Sequence, residues 1–185
     1  MTPPPFAPAL LAGVMEATWP PARSWRLGPF LLRDGAGGGK RVQAASCEGA
    51  WTDSDLAAAE AGMIAPLFAI RAGDERLDAA LAARGYRVID PVLIYAAPVA
   101  ALAGDLPPLA AFPHWPPLAV ARQIWAEAGI DLARMAVMGR VEGPKCAILA
   151  RAGDRPAGVA FVAVSGAEAM LHALEVRSGM RRRGD

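Results

Sequence analysis

A proline-dense segment near the middle of the chain most constrains how this sequence can fold. Residues 98–117 carry Pro98, Pro107, Pro108, Pro113, Pro116 and Pro117. Because proline lacks a backbone N–H and fixes φ, it is excluded from helix interiors and from central strands. The spacing therefore predicts a linker over 98–117, an N-terminal domain over 1–97 and a second domain over 118–185.

Length and hydrophobicity favour a packed protein. A chain of 185 residues with 54% hydrophobic side chains can form one ordinary domain or two small ones, and this composition excludes disorder. No apolar stretch reaches the ~18–20 residues that a membrane span needs. The N-terminal residues 1–8 lack basic side chains and are broken by prolines, so we predict no signal peptide and a cytoplasmic protein without a membrane partner.

The charge balance and the cysteines exclude two further classes. A net charge of +1 provides no general attraction for nucleic acid, although Arg177 and residues 181–183 make the C-terminal end locally basic. Cys47 and Cys146 lie far apart and form no CxxC pair, which excludes a disulfide framework and a zinc site. We expect both to lie in strands as small buried side chains and predict no metal site.

The local patterns predict a fold of the α+β (mixed α/β) class. The first half is predicted to form helices and strands in this order: a helix at 9–17, strands at 25–33 and 40–47 joined by a glycine-rich turn, a helix from Thr52 or Asp53 to about Met63, a strand at 67–71, a helix at 75–84 closed by Gly85, and strands at 86–89 and 92–96. The second half is predicted as a helix at 118–128 and an antiparallel meander with strands at 133–141, 145–151, 158–164 and 169–176.

Three motifs are better explained by structure than by chemistry. The sequence Gly37-Gly38-Gly39-Lys40 lacks the first glycine and the Ser or Thr of a phosphate-binding loop, so we interpret it as a hairpin tip. Arg-Ala-Gly-Asp occurs at 71–74 and at 151–154 in different contexts, which favours coincidence of turn chemistry over a repeat. His114 has no ligand partner nearby, and a packing or surface role is favoured.

The last predicted strand carries His172 and Glu175. On a regular strand alternate residues share a face, so His172 and Glu175 are predicted to point to opposite faces and to form no dyad. A structural role is favoured for His172. A carboxylate at the end of an apolar strand is costly to bury unless it is paired or functional. Burial would move the pKa of Glu175 towards the range of a general base, and an ion pair with Arg177 or Arg140 is the structural alternative.

Residues 170–176 form the final part of this predicted strand. A short turn after them leads into Arg181-Arg182-Arg183-Gly184. A strand that opens into a basic, glycine-containing turn can present backbone N–H groups to a phosphate when a helix starts there. These residues resemble the central motif of the GNAT superfamily of acyl-CoA N-acetyltransferases, in which a strand ending Leu-x-Val-x-Pro precedes Arg/Gln-x-x-Gly-x-Gly/Ala. Leu174-Glu175-Val176 matches the strand, Ser178 replaces the proline, and Asp185 follows Gly184.

The N-terminal half is similar to the degenerate GNAT-like region that precedes the active one in some of these proteins. The similarity rests on Trp19-Pro20, on the residues 27–33, on Lys40-Arg41 after the glycines, and on residues 77–86, where a helix is followed by Gly85-Tyr86. The resemblance implies two similar halves, each with a central, mostly antiparallel sheet flanked by helices. The second half is expected to lack the later part of the fold, through natural truncation, through use of a fragment, or because another chain completes it.

The resemblance implies an N-acetyltransferase that uses acetyl-CoA as co-substrate. The amine of an unidentified small-molecule or peptide acceptor would attack the thioester directly, and Glu175 would act as general base. The backbone near Leu174 and Val176 would pair with the pantetheine arm, while the pyrophosphate would be held by five residues: Arg181, Arg182, Arg183, Gly184 and Asp185. A homodimer is compatible with this interpretation.

Two other hypotheses belong to different classes. The chain could be a catalytically inactive GNAT remnant that serves as an interaction module, which acetyl-CoA binding would separate from the enzyme. Alternatively, the basic residues 177–183 could form an arm that binds polyanions. Such binding would weaken steeply with salt and would be indifferent to CoA.

Overall fold

A computed structural model describes residues 6–181 and divides the chain into two compact units. The first unit contains the chain up to Ala12 and Pro21–Ala96, and the second contains Gly13–Pro20 and the chain from Ala97 onwards. Helix α1 (Pro8–Thr18) forms where the sequence predicts a helix, and its second half belongs to the second unit. Each described helix is too short or too polar to cross a membrane.

The sheet of the first unit begins with a hairpin. β1 (Arg23–Leu27) pairs antiparallel with β2 (Phe30–Asp34), and β2 pairs with the short β3 (Ser46–Cys47). The prediction of one strand over 25–33 is wrong, because Gly28 adopts a φ of 56° and opens a two-residue loop with Pro29. Glycine supplies this positive φ without steric cost.

The predicted return strand over 40–47 is also wrong in its first part. Residues Lys40–Val42 form a short 3-10 helix. The buried guanidinium of Arg33 donates to the Ala44 carbonyl at 2.7 Å and to the Ser46 hydroxyl at 3.0 Å. Because the Arg33 side chain already donates to the Ala44 carbonyl, this carbonyl does not pair with a neighbouring strand. The chain enters the sheet only at β3.

Two capped helices cover this sheet. α2 (Asp53–Ala61) starts at Thr52, whose hydroxyl accepts from the backbone N–H of Asp55 while the Asp55 carboxylate accepts from the Thr52 N–H. α3 (Glu75–Ala83) is followed by Gly85 at a φ of 88°, which confirms the predicted end. The predicted strand at 67–71 is reduced to one parallel bridge between Ala45 and Phe68. The buried core of this unit comprises Phe30, Leu32, Ala45, Trp51, Leu56, Ala59, Leu77 and Leu81.

The segment after α3 differs from the prediction. The strands expected at 86–89 and 92–96 are not paired, and every residue from 87 to 109 is exposed. A single turn, α4 (Val99–Leu102), interrupts the segment. Apolar β-forming residues favour a strand locally, but they form one only when a neighbouring edge accepts their hydrogen bonds.

The second unit has a four-stranded antiparallel sheet in the order β4-β5-β6-β7. Its elements follow one another along the chain: β4 (Ala111–His114), α5 (Ala119–Glu127), α6 (Leu132–Arg140), β5 (Lys145–Ala152), β6 (Arg155–Ser165) and β7 (Glu168–Val176). Helices combined with antiparallel sheets confirm the predicted α+β class. The helix expected at 118–128 and the three-stranded meander after residue 145 are both present.

One expectation for this unit is wrong, and a strand that was not predicted lies in the proline-rich region. The strand predicted at 133–141 is replaced by helix α6, which ends at Arg140, because the Asp131 side chain caps the first turn by accepting from the N–H of Arg134 at 3.0 Å. The expected linker contains β4, with Pro113 inside it. β4 lies at the end of the sheet order, where a residue without an N–H is tolerated.

The two faces of this sheet differ in burial. One face carries Ala147, Val159, Phe161 and Ala163, which are all fully buried. The opposite face carries Cys146, Ile148, Val162, Val164 and Leu171, which are apolar but not fully buried. The helices therefore cover the first face more completely than the second.

Candidate functional site

The candidate site lies where β7 ends. After Val176 the chain forms a 3-10 helix at Ser178–Met180, and Arg181 follows it. The four other predicted phosphate-binding residues, Arg182, Arg183, Gly184 and Asp185, lie outside the described residues. The structure therefore describes Leu174, Glu175, Val176 and Arg181 of the predicted site.

A β-bulge interrupts β7 just before this end. Val159 pairs with Glu175 and Phe161 pairs with His172, so three steps along β7 oppose two steps along β6. Ala173 adopts a φ of 49°, which is rare for a residue with a side chain. Its carbonyl accepts a hydrogen bond from the indole N–H of the fully buried Trp125 in α5 at 2.8 Å. The helix thus holds the bulge in place.

The bulge overturns the predicted separation of His172 from Glu175. Val159 and Phe161 lie two positions apart on β6 and share the buried face of the sheet. Their partners Glu175 and His172 consequently share that face as well. The prediction assumed a regular strand. The extra residue in β7 shifts the alternation of its side chains between the two faces by one position.

The side chain of Glu175 forms an ion pair with Arg181. Its Oε2 lies 3.6 Å from a terminal guanidinium nitrogen of Arg181, and the two side chains are 26% and 57% exposed. Arg181 also donates from Nε to the carbonyl of Val176 at 2.7 Å. The tail arginine therefore folds back over the end of β7 and makes the ion pair that the sequence analysis assigned to Arg177 or Arg140.

Those two arginines have other partners. Arg177 makes two hydrogen bonds to the carboxylate of Glu127 at the end of α5, at 3.1 and 3.2 Å. Arg140 donates to the carbonyl of Pro20. Arg177 thus ties the loop after β7 to the same helix that holds the bulge.

His172 is buried in a cluster with the end of α1. Its Nε2 lies 2.8 Å from the hydroxyl oxygen of Thr18, which itself donates to the carbonyl of Val14 at 2.6 Å. Since the hydroxyl proton is used on Val14, Nε2–H of His172 is the donor to Thr18. The ring of Trp19 stacks on the imidazole with centroids 5.0 Å apart. This environment fits a packing role.

Three residues that support the site were missed by sequence reasoning. Trp125 and Ala173 form the bulge contact, and no local pattern predicts either role. Gly158 lies opposite Val176 on β6, and a Cβ there would meet the carbonyl oxygen of Glu175 at 2.7 Å. A glycine inside an apolar strand is a sequence signal for such a close backbone approach.

Features elsewhere in the described chain do not extend this site. An open pocket of about 510 Å³ is lined by Ala17, Pro20, Arg140, Glu142, Gly143, Pro144, Val164, Ser165 and Gly166. It lies beside the β6–β7 turn, at the opposite end of β7 from Glu175.

Burial and the charges of Asp74, Asp55 and Glu48 raise the pKa of the Cys47 thiol, which disfavours the reactive thiolate. Residues 6–181 contain no cluster of three or more His, Cys, Asp or Glu side chains that could hold a metal.

Comparisons with family models, with curated proteins and with solved structures find no match to this chain. A function is therefore inferred from β7, from its bulge at Ala173 and from the basic residues that follow it.

Proposed function

We propose that the protein is a cytoplasmic N-acetyltransferase that transfers an acetyl group from acetyl-CoA to the amine of a small molecule or peptide. The observation that carries the proposal is the β-bulge at Ala173, next to the strand end that resembles the GNAT motif. Bulges are over-represented beside active sites, because they take backbone groups out of the ladder and re-aim side chains.

The order of elements supports this assignment. The second unit runs as strand, two helices and three antiparallel strands, and the last of these strands carries Leu174-Glu175-Val176 of the resemblance. In the proposed complex, backbone groups of Leu174 and Val176 pair with the amides of the pantetheine arm. The side chain of Leu174 is exposed, so this part of β7 is accessible from solvent.

The tail supplies the positive charge for the pyrophosphate. Arg181 is a described residue and its side chain is 57% exposed. Together with Arg182 and Arg183 it places three guanidinium groups after β7, and arginine binds phosphate oxygens through paired N–H donors. Gly184 and Asp185 would contribute backbone N–H groups. Binding would exchange the Arg181–Val176 hydrogen bond for contacts with the cofactor.

Glu175 is the proposed general base. The acceptor amine attacks the thioester carbon, the carbon–sulfur bond breaks, and the CoA thiolate leaves. The proton lost by the amine passes to the carboxylate of Glu175, directly or through a water molecule, and is later released. Movement of Arg181 onto the pyrophosphate would free the Glu175 carboxylate at the same time, which couples cofactor binding to activation of the base.

A turnover assay tests the proposal. Release of the CoA thiol is measured with acetyl-CoA and a panel of amines, for the wild type, for Glu175→Gln and for Glu168→Gln. Removing a general base slows turnover by roughly 10²- to 10⁴-fold, so we expect that loss for Glu175→Gln. Its acetyl-CoA affinity should not weaken, because the variant removes the ion pair that Arg181 gives up on binding. Glu168 lies at the other end of β7 and is the matched control. Equal turnover of both variants would exclude Glu175 as the base.

An interaction module without catalysis is the second candidate. The contacts of Arg181 favour this candidate. Its side chain already donates to the Val176 carbonyl and pairs with Glu175, at the strand end where acetyl-CoA would bind. If acetyl-CoA fails to bind the folded wild-type chain, this candidate replaces the enzyme.

A further inference from the structure

Two arginines follow Glu175 closely in the sequence, and the fold gives each of them a different partner. Arg181 pairs with Glu175 and folds back onto the Val176 carbonyl. Arg177 follows Val176 directly and donates instead to Glu127, the last residue of α5. The arginine that is nearer to Glu175 in sequence is therefore held by another carboxylate.

The carboxylate of Glu127 is oriented to hold Arg177. Its Oε2 accepts from Nε of Arg177 at 3.2 Å and its Oε1 accepts from Nη2 at 3.1 Å, which is the paired geometry that suits a guanidinium group. The side-chain amide of Gln123, one turn earlier in α5, donates to the same Oε1 at 3.1 Å. Gln123 thus orients the carboxylate, and the carboxylate orients Arg177.

Without Glu127, the side chain of Arg177 would lie within reach of Glu175. The backbone N–H of Arg177 donates to the Ala157 carbonyl at 2.9 Å, and its φ of −54° and ψ of 138° are extended. Alternate residues of an extended strand point to the same side and lie about 7 Å apart along it. The side chain of an arginine spans that distance, so Glu175 is an alternative acceptor for Arg177.

We propose that Glu127 is a positioning residue for the general base, because it keeps Arg177 away from Glu175. The carboxylate of Glu175 then pairs with Arg181, which lies beyond the end of β7. The inference rests on the proposed function, in which Glu175 accepts the proton of the acceptor amine. Glu127 would act on this base through Arg177.

The two arginines differ in how easily they can leave Glu175. Arg181 comes after the 3-10 helix, its side chain is 57% exposed, and it can move onto an incoming pyrophosphate. Arg177 is fixed in the sheet by its hydrogen bond to Ala157, so a pair between Arg177 and Glu175 would persist in the complex with acetyl-CoA. A carboxylate that stays bonded to a cation accepts a proton less readily. Glu127 therefore keeps Glu175 available by holding Arg177.

Steady-state turnover of acetyl-CoA with the fastest amine of the panel separates positioning from fold stability. Because Glu127→Gln releases Arg177 to Glu175, kcat should fall by roughly 2- to 5-fold, the range that an exposed ion pair supplies, and KM for acetyl-CoA should not rise. Adding Arg177→Gln removes the competing cation and should return kcat to the wild-type value. A contact that only stabilised the fold would not be rescued by the loss of its second partner. Glu168→Gln, at the other end of β7, is the control and should leave kcat unchanged.

Exchange of the Arg177 Nε–H with water, followed by nuclear magnetic resonance, tests the same pairing without acetyl-CoA. The proton should stay protected in Glu127→Gln, because Glu175 replaces the lost acceptor, and in Glu175→Gln, because Glu127 remains. It should lose this protection when both changes are combined. Dispersed amide signals establish that each variant is folded.

The two experiments distinguish failure of this inference from failure of the enzyme. A wild type that acetylates no amine of the panel, with exchange rates as expected, would remove the acetyltransferase and leave Glu127 as the residue that holds Arg177 away from Glu175. Loss of protection in Glu127→Gln alone, or a kcat that Arg177→Gln does not restore, would overturn the inference.

Discussion

Trp125 donates its indole N–H to the carbonyl of Ala173 at 2.8 Å, at the position where β7 departs from regular pairing. Forty-eight residues separate the two in sequence. The contact joins helix α5 to the strand that carries Glu175, and it compensates a backbone carbonyl that the bulge takes out of the ladder.

Replacing Trp125 by Phe should loosen the bulge. The change leaves the Ala173 carbonyl without its donor and removes part of a fully buried side chain, which together should lower the free energy of unfolding by about 2 kcal/mol. Amide exchange of residues 171–176 should accelerate. Trp115→Phe is the control, since Trp115 is 38% exposed. Unchanged exchange in Trp125→Phe would show that the bulge is held by other contacts.

The Thr18–His172 pair should contribute measurably to stability. Both side chains are buried, so Thr18→Val leaves the His172 donor without its Thr18 acceptor, at a cost of about 1–3 kcal/mol. In a double-mutant cycle with His172→Phe, we expect a coupling energy of about 0.5–3 kcal/mol from denaturant unfolding. Strict additivity of the two changes would show that the pair does not interact.

The cap of α2 predicts a pH dependence. Hydrogen bonds from the hydroxyl and then from the backbone N–H of Thr52 hold the pKa of Asp55 below its usual value. A depressed folded-state pKa contributes stability that is present above the unfolded value of about 3.9 and is lost as pH falls through the folded pKa. Asp55→Asn should therefore destabilise the protein at neutral pH and have less effect in acid. Asp105→Asn, in the exposed segment, serves as control, and a pH-independent effect of Asp55→Asn would contradict the account.

Tyr86 should lose its proton only at high pH. Burial, followed by the hydrogen bond to Glu60 and its charge, raises the pKa of Tyr86 to about 12. The chain has two tyrosines, so ultraviolet titration of a Tyr95→Phe variant reports Tyr86 by itself. Adding Glu60→Gln should lower this pKa towards the ordinary value of about 10, whereas Asp78→Asn should not. A raised folded-state pKa also means that this stabilisation is present below about pH 10 and is lost as pH rises through about 12.

Local sequence signals were sufficient for several elements. The Thr52 cap of α2, Gly85 after α3 and the apolar strands of the second unit are each encoded by a few neighbouring residues, which is why each could be predicted from the local sequence. The helix α6 was missed because its apolar residues also fit a strand, and the Asp131 cap was not recognised.

The errors at the site have a different cause. The positive φ of Ala173 has no local signal, since alanine does not favour it, and the contact that holds it comes from Trp125 in another element. The extra residue at this bulge puts His172 and Glu175 on the same face of the sheet. Residues 92–96 were predicted as a strand from their composition, but strand formation also depends on a neighbouring strand edge that accepts their hydrogen bonds.

Titration calorimetry of the 185-residue chain with acetyl-CoA tests the central claim most directly. The account predicts one site per chain with micromolar affinity, weakened by at least about tenfold in a double variant in which Arg181 and Arg183 are both replaced by Ala, because guanidinium–phosphate contacts are lost. Arg134→Ala, an exposed arginine on α6, should bind like the wild type. A folded chain that gives no heat with acetyl-CoA, or binding that is unaffected by the double variant, would contradict the claim.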